Sequence, residues 1–192
     1  KDEEGRKFKS IGNVKIWFEK QGKTLEFAMN GGMYKGDNSP QGLYIENFTM
    51  LSPLDTASGG GNFYLKPNGV FYITANNIPH ISTTADFKSD SSIKFATQSG
   101  PMLVIDGAIH SAFKKGSANL NIRNGVGILP DGKVIFAMSK SEINFYDFAE
   151  FFKKAGCNNA LYLDGLVSRT YLPQENSLQT DGDFGVIIAV VK

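Results

Sequence analysis

The residues of this chain whose types could do chemistry together stand at the ends of apolar runs. Asn30 closes Leu25–Met29, Gln98 and Ser99 precede Met102–Ile105, and Arg123 precedes Gly125–Leu129. Ser139 follows Val134–Met138, and Asp164 follows Ala160–Leu163. Polar side chains at strand tips of a rigid sheet converge on one rim and leave the loops above them to form a pocket. Spacing alone does not prove convergence, and each residue has a plainer role open to it. Asp164-Gly165 and Asn30-Gly31-Gly32 could be turns, Arg123 a surface or ion-paired residue, and Asn144 a helix cap. The paired glycines 31 and 32 would permit positive φ and close approach of the backbone to another group.

Other chemistries find less support. Cys157 is the only cysteine of the 192 residues, so no disulfide or thiolate metal cluster forms within the chain, and a small buried hydrophobe is its simplest reading. His80 and His110 lie apart from every motif. Asp37, Asp55, Asp106 and Asp164 are scattered, without EF-hand or His-rich spacing. No metal or other cofactor is expected, although an oxygen-ligand Ca²⁺ or Mg²⁺ site built from distant loops stays open. Twenty Lys and Arg against 19 Asp and Glu leave a net charge of +1. That balance argues against a broad basic surface for nucleic acid, but not against a local pocket for one phosphate. No targeting segment or membrane span is visible, the longest apolar run being Phe184 to Val191.

The elements that must position these residues are mostly strands. Val14–Phe18 and Leu25–Met29 around Gln21-Gly22-Lys23 read as a hairpin. Short strands follow at Leu43–Ile45 and Phe48–Leu51. Phe63–Leu65 and Val70–Ile73 flank the turn Pro67-Asn68-Gly69. Residues 76–95 carry no clear period, and Asp86–Ile93 reads as loop or short helix. Pro130-Asp131-Gly132-Lys133 joins Gly125–Leu129 to Val134–Met138 as a hairpin. One amphipathic helix is clear. Phe145, Phe148, Ala149 and Phe152 recur at i, i+3, i+4 and i+7, with Asn144 as N-cap, Lys153 and Lys154 in the last turn and Gly156 beyond. Phe184–Val191 reads as a closing strand. With 41% hydrophobic residues and no repeat or linker, the expected fold is α/β of the α+β type. It would be a single domain with a mixed, largely antiparallel sheet and few packed helices, covering residues 13–192 behind a polar lead-in, 1–12.

Five motifs occur in an order that resembles the phosphodiester glycosidase family. They are Asn30-Gly31-Gly32-Met33-Tyr34, Gln98-Ser99-Gly100-Pro101, Arg123-Asn124-Gly125-Val126-Gly127, Asn144-Phe145-Tyr146-Asp147-Phe148-Ala149 and Asn159-Ala160-Leu161-Tyr162-Leu163-Asp164-Gly165. The resemblance spans roughly residues 25 to 190. The branch that uncovers mannose 6-phosphate follows its aspartate with three glycines and a serine. Here Asp164-Gly165-Leu166-Val167-Ser168-Arg169 keeps only the first glycine and the serine, and is similar to a bacterial branch. Sugar specificity does not carry over.

The resemblance implies a hydrolase that cuts the bond between a sugar's anomeric carbon and a phosphodiester phosphate. Ordinary glycosidases need two carboxylates, but a phosphate monoester leaves as a stable anion, so one carboxylate with a phosphate clamp suffices. Asp164 is the expected carboxylate, Arg123 the clamp, and Asn30 completes the catalytic set. Gly31, Gly32, Tyr34, Gln98, Ser99, Asn144, Ser168 and Arg169 are the expected substrate contacts, the two glycines through backbone N–H groups. The expected partner is a sugar-1-phosphodiester, on a small molecule or glycan, with no nucleic acid and no integral membrane segment. A secreted, periplasmic or cell-envelope location is implied by the family alone. The competing readings are a carbohydrate- or phosphate-binding module without turnover, and a metal-dependent phosphodiesterase.

Overall fold

The computed structural model describes residues 1–165 and 167–192. Two helices accompany fourteen short strands: α1 (Ile11–Glu19), β1 (Leu25–Asn30), β2 (Tyr44–Glu46), β3 (Thr49–Ser52), β4 (Gly69–Thr74), β5 (Pro79–Thr83) and β6 (Ile93–Ser99) come first. Then follow β7 (Met102–Ile105), β8 (Ala108–Ile109), β9 (Asn124–Ile128), β10 (Val134–Met138), α2 (Phe145–Lys154), β11 (Ala160–Tyr162), β12 (Thr170–Leu172), β13 (Ser177–Leu178) and β14 (Ile187–Val191). The strands form three sheets, in the orders β13-β12-β1-β14, β10-β9-β11-β7-β8 and β3-β2-β6-β4-β5. Every described strand pairing is antiparallel.

One core joins the three sheets. Met29 of β1, Phe71 and Ile81 of β4 and β5, and Met102, Val126 and Leu161 of β7, β9 and β11 pack together with Leu163. On the other face of the β10-β9-β11-β7-β8 sheet lies α2. Its buried Phe145, Phe148, Ala149 and Phe152 meet Leu103, Val104, Ala160 and Tyr162. Each buried phenylalanine stabilises the contact by roughly 2–3 kcal/mol. The helix is capped as its sequence predicts: Asn144 Oδ1 accepts from the Asp147 N–H at 2.9 Å, and Asn144 Nδ2 donates to Asp147 Oδ2 at 2.7 Å. Gly156 follows at φ +88°.

Four local expectations change. Residues 14–18 are helix, not strand, because Ser10 caps the Asn13 N–H and Ile11, Val14 and Phe18 form a stripe that packs in the β1 core. Helix α1 therefore begins inside the expected lead-in, and Phe8 packs against the same cluster. Residues 62–64 make a 3-10 turn rather than a strand. Residues 79–83, which carry no clear period, form β5 through tertiary pairing with β4. The closing strand begins at Ile187, since Phe184 turns into the α1 core.

Candidate active site

Antiparallel pairing explains how distant residues meet. Strands β9 and β11 run side by side with Tyr162 opposite Gly125, so the start of β9 lies beside the end of β11. Arg123 and Asn124 stand at the first place and Asp164 at the second. The end of β1 arrives across both, where the Asp164 N–H donates to Gly31 O at 3.1 Å.

Asn30 ties the strand tips together. It is fully buried, at 0% exposure. Its Nδ2 donates to Asp164 O, while its Oδ1 accepts from the Arg169 N–H at 3.0 Å and from Asn124 Nδ2 at 3.0 Å. Asn124 Nδ2 also reaches Asn30 O at 3.0 Å, and Asn124 Oδ1 is buried without a partner. Ser168 Oγ donates to Gly165 O at 2.8 Å and so closes the loop that follows Asp164. These side chains hold backbone, while the Asp164 carboxylate stays half-buried at the strand tip. That carboxylate accepts no hydrogen bond among the described residues, and burial pushes its pKa up to about 6. No neighbouring charge contributes to the shift.

Arg123 is buried as well, at 1% exposure. Its guanidinium lies 3.6 Å from the centroid of the Phe145 ring, a close cation–π contact. Nε donates to Ile143 O at 2.7 Å and Nη2 to Asn119 O at 2.9 Å. Among the described residues it has no carboxylate partner. Ser139 holds its peptide, with Oγ accepting from the Arg123 N–H at 2.9 Å. The planar fork expected to grip a phosphate therefore faces inward, because backbone carbonyls already occupy two of its nitrogens. What it supplies is a buried, uncompensated positive charge.

The other expected contacts divide into two groups. Tyr34 is half-buried beside the site, and burial raises its phenol pKa, helped by the charges of Asp164 and Asp183. Arg169 contributes its backbone N–H to Asn30, while its side chain pairs with exposed Asp181 at 2.8 Å. Gln98 is a structural clamp: Oε1 accepts from the Leu43 and Asp55 N–H groups, both at 2.9 Å, and Nε2 donates to Asp55 O at 2.7 Å. All its polar groups being engaged inside the fold, its side chain offers no bond to a ligand. Ser99 Oγ is buried with no partner, and the Asn144 side chain is occupied in capping α2. Glycines 31 and 32 are needed for close approach, not for positive φ. A Cβ at 31 would lie 2.8 Å from Val186 Cγ1, and one at 32 only 2.7 Å from Gln98 O. The Gly31 N–H already donates to Val186 O at 2.8 Å, which removes it as an anion donor.

Sequence reasoning passed over Asn124 and Tyr162. Tyr162 closes β11 two residues before Asp164, and that closeness in sequence was the signal available. His110 is a packed core residue, accepting from the Ala112 N–H at 3.1 Å and stacked on Phe113, and burial lowers its pKa. Burial raises the pKa of Cys157, as for an inert core thiol. Among the described residues, no three His, Cys, Asp or Glu side chains gather in a metal-holding group. No described helix is long and apolar enough to cross a membrane.

Two recesses flank this region. One of about 400 Å³ is lined by Lys35, Gly42 and residues 52–57. The second, of about 210 Å³, is bounded by Asn119, Phe145 and Tyr146 on one side and Asn62 and Leu65 on the other. Asn119 and Phe145 also contact Arg123, so the second recess shares two wall residues with the cage of the buried cation.

Comparison with known proteins agrees with this architecture. The family described as phosphodiester glycosidase matches residues 23–188. The uncharacterized protein YigE of Escherichia coli K12 is 44% identical over 149 residues, covering 77% of this chain and 58% of that protein. Two solved structures share the fold, each with a TM-score of 0.57. The catalytic domain of zebrafish N-acetylglucosamine-1-phosphodiester alpha-N-acetylglucosaminidase is 18% identical, with 93% of this chain and 65% of that one covered. A hypothetical protein from Synechocystis is 12% identical, with 99% and 55% covered. The chain thus spans less than two thirds of the length of each of these relatives. By the extent of the family match and the identity to YigE, the chain is a member of the phosphodiester glycosidase family.

Proposed function

We propose that this chain hydrolyses the bond between the anomeric carbon of a sugar and the phosphate of a phosphodiester. The observation that carries the reading is a single desolvated carboxylate, Asp164, just past the end of β11, with the buried guanidinium of Arg123, which has no acidic partner among the described residues, at the start of the adjacent β9. A glycosidase that expels an alcohol needs a second carboxyl group to protonate the leaving oxygen. A phosphate monoester needs none, because its second pKa lies near 6 and it departs as an anion. Only one acid is then required, and Asp164 supplies it.

In this reaction the C1–O bond breaks and its electron pair stays with the phosphate oxygen. Water adds to C1, and its proton passes to the Asp164 carboxylate, which also stabilises the positive charge developing on the sugar ring. Asn30 fixes the Asp164 peptide. Arg123 lowers the energy of the departing anion by its field rather than by direct grip. Tyr34, half-buried and within the field of Asp164, bounds the sugar in this reading. A secreted or cell-envelope setting, where sugar-1-phosphodiesters link polymers, suits this chemistry.

The test is release of free sugar from a panel of sugar-1-phosphodiesters, run in ¹⁸O-water. Hydrolysis at C1 puts the label in the sugar hydroxyl, and Asp164→Asn lowers kcat by about 10³-fold, some 4 kcal/mol of barrier. Label in the phosphate would instead assign P–O cleavage. Binding without turnover across the panel would make the chain a recognition module, and equal turnover by Asp164→Asn would remove that residue from the chemistry.

A further inference from the structure

The Tyr162 hydroxyl is confined between the Arg123 cage and the turn that carries Asp164. Tyr162 is 2% exposed, and its ring meets Phe145 edge-on at 4.8 Å. The Arg123 guanidinium carbon lies 5.6 Å from the centre of that ring. With Nε and Nη2 of Arg123 given to Ile143 and Asn119, Nη1 is the nitrogen left for the tyrosine side. At its other edge the hydroxyl presses on Gly165, where a Cβ would fall 2.0 Å from the oxygen. The residue after Asp164 therefore has to lack a side chain for the tyrosine to stand as it does. Burial above all keeps this phenol neutral and raises its pKa; Arg123 favours its ionised form, and Asp164 opposes it.

We propose that Tyr162 is a positioning residue for Asp164, its hydroxyl propping the Asp164–Gly165 turn against the Arg123 guanidinium so that the carboxylate is held in one orientation at the strand tip. The inference rests on the assignment of Asp164 as the reactive carboxylate, but its geometric content does not depend on the substrate. A simple core tyrosine would need only its ring, since phenylalanine fills the same space. Here the hydroxyl has its own place, defined by a glycine on one side and a cation on the other. The turn is otherwise held by the Asn30 side chain on Asp164 O, by the Asp164 N–H on Gly31 O, and by Ser168 Oγ on Gly165 O. Tyr162 is the support that comes from the sheet of Asp164 itself.

Tyr162→Phe tests this, because it keeps the ring and removes only the oxygen. The readouts are the ¹³C carboxyl titration of Asp164, amide exchange at Gly165, and, if the proposed hydrolysis is found, kcat against KM. The expected result is faster Gly165 exchange with the exchange of β9 and β11 core amides unchanged. The Asp164 midpoint falls from about 6 towards the usual carboxylate range as the released turn hydrates. On a substrate, kcat drops about 10- to 100-fold while KM changes less than threefold. A second variant, Gly165→Ala, displaces the hydroxyl while keeping the tyrosine, and should move the Asp164 midpoint in the same direction. An unchanged Asp164 titration with unchanged Gly165 exchange in Tyr162→Phe would overturn the inference. If no phosphodiester is turned over yet the titration and exchange respond as described, the positioning role stands and only the proposed reaction fails.

Discussion

Two buried polar clusters sit at strand ends in this molecule, and they differ in what they leave unsatisfied. Around Gln98, the side-chain amide binds the backbone of Leu43 and Asp55 and reaches the Thr84 hydroxyl at 3.2 Å, so each of its polar groups has a partner. Around Asp164, Asn30 and Asn124 satisfy the backbone while, among the described residues, the carboxylate has no donor and the Arg123 guanidinium no acid. A fully satisfied network stabilises one conformation. A network that leaves a charged group bare carries a cost in stability, and that cost is typical of sites made ready for a ligand. Burial therefore does not separate structure from chemistry here. The hydrogen-bond inventory does.

The sharpest way to break this contrast is a pH–rate profile. The ionised form of Asp164 is the proposed base, so kcat/KM should rise with pH up to about 6 and then level off. Below that point it falls about tenfold per unit, reaching roughly 100-fold by pH 4. A profile flat through this range would place the proton transfer elsewhere. Gln98→Ala should show the opposite behaviour. Losing its four bonds leaves buried backbone groups unpaired, at a cost of about 3 kcal/mol or more by urea unfolding. The remaining folded enzyme should keep its kcat, and a selective loss of kcat would merge the two clusters into one.

Stability itself should sharpen the difference. The folded pKa of Asp164 is raised from 3.8 to about 6, so its carboxyl favours folding below the lower value, and that contribution is lost as pH rises through the upper one. Asp164→Asn, which cannot ionise, should gain up to about 3 kcal/mol over wild type at pH 7.5 and little at pH 4. Equal stability of the two proteins at both pH values would mean that the carboxylate is well hydrated. The smallest effect belongs to Arg169→Ala. Its side chain joins an exposed pair with Asp181 and donates to the neighbouring Ser168 O, and its N–H to Asn30 survives the substitution, so a change of about 0.5 kcal/mol is expected by thermal unfolding.

Much of the fold was legible where local signals were strong. The β9–β10 hairpin follows from its Pro-Asp-Gly turn, and α2 from its phenylalanine period and Asn144 cap. Residues 14–18 misled because Val, Ile, Trp and Phe favour strands, whereas the Ser10 cap and the Ile11–Val14 spacing favour the observed helix. Strand β5 had no sequence signal because its register is set by β4 alone.

The sequence by itself determined which residue types end the strands, and that their order matches one enzyme family. Only the tertiary structure decided how each residue is used, because hydrogen-bond partners come from chain segments far away in sequence. Gln98 is closed by Asp55 and Leu43, Arg123 turns its fork onto carbonyls of residues 119 and 143, and Asp164 alone keeps an open carboxylate. A strand tip in sequence is an available position. Whether its side chain remains available depends on what the rest of the fold brings within 3 Å of it.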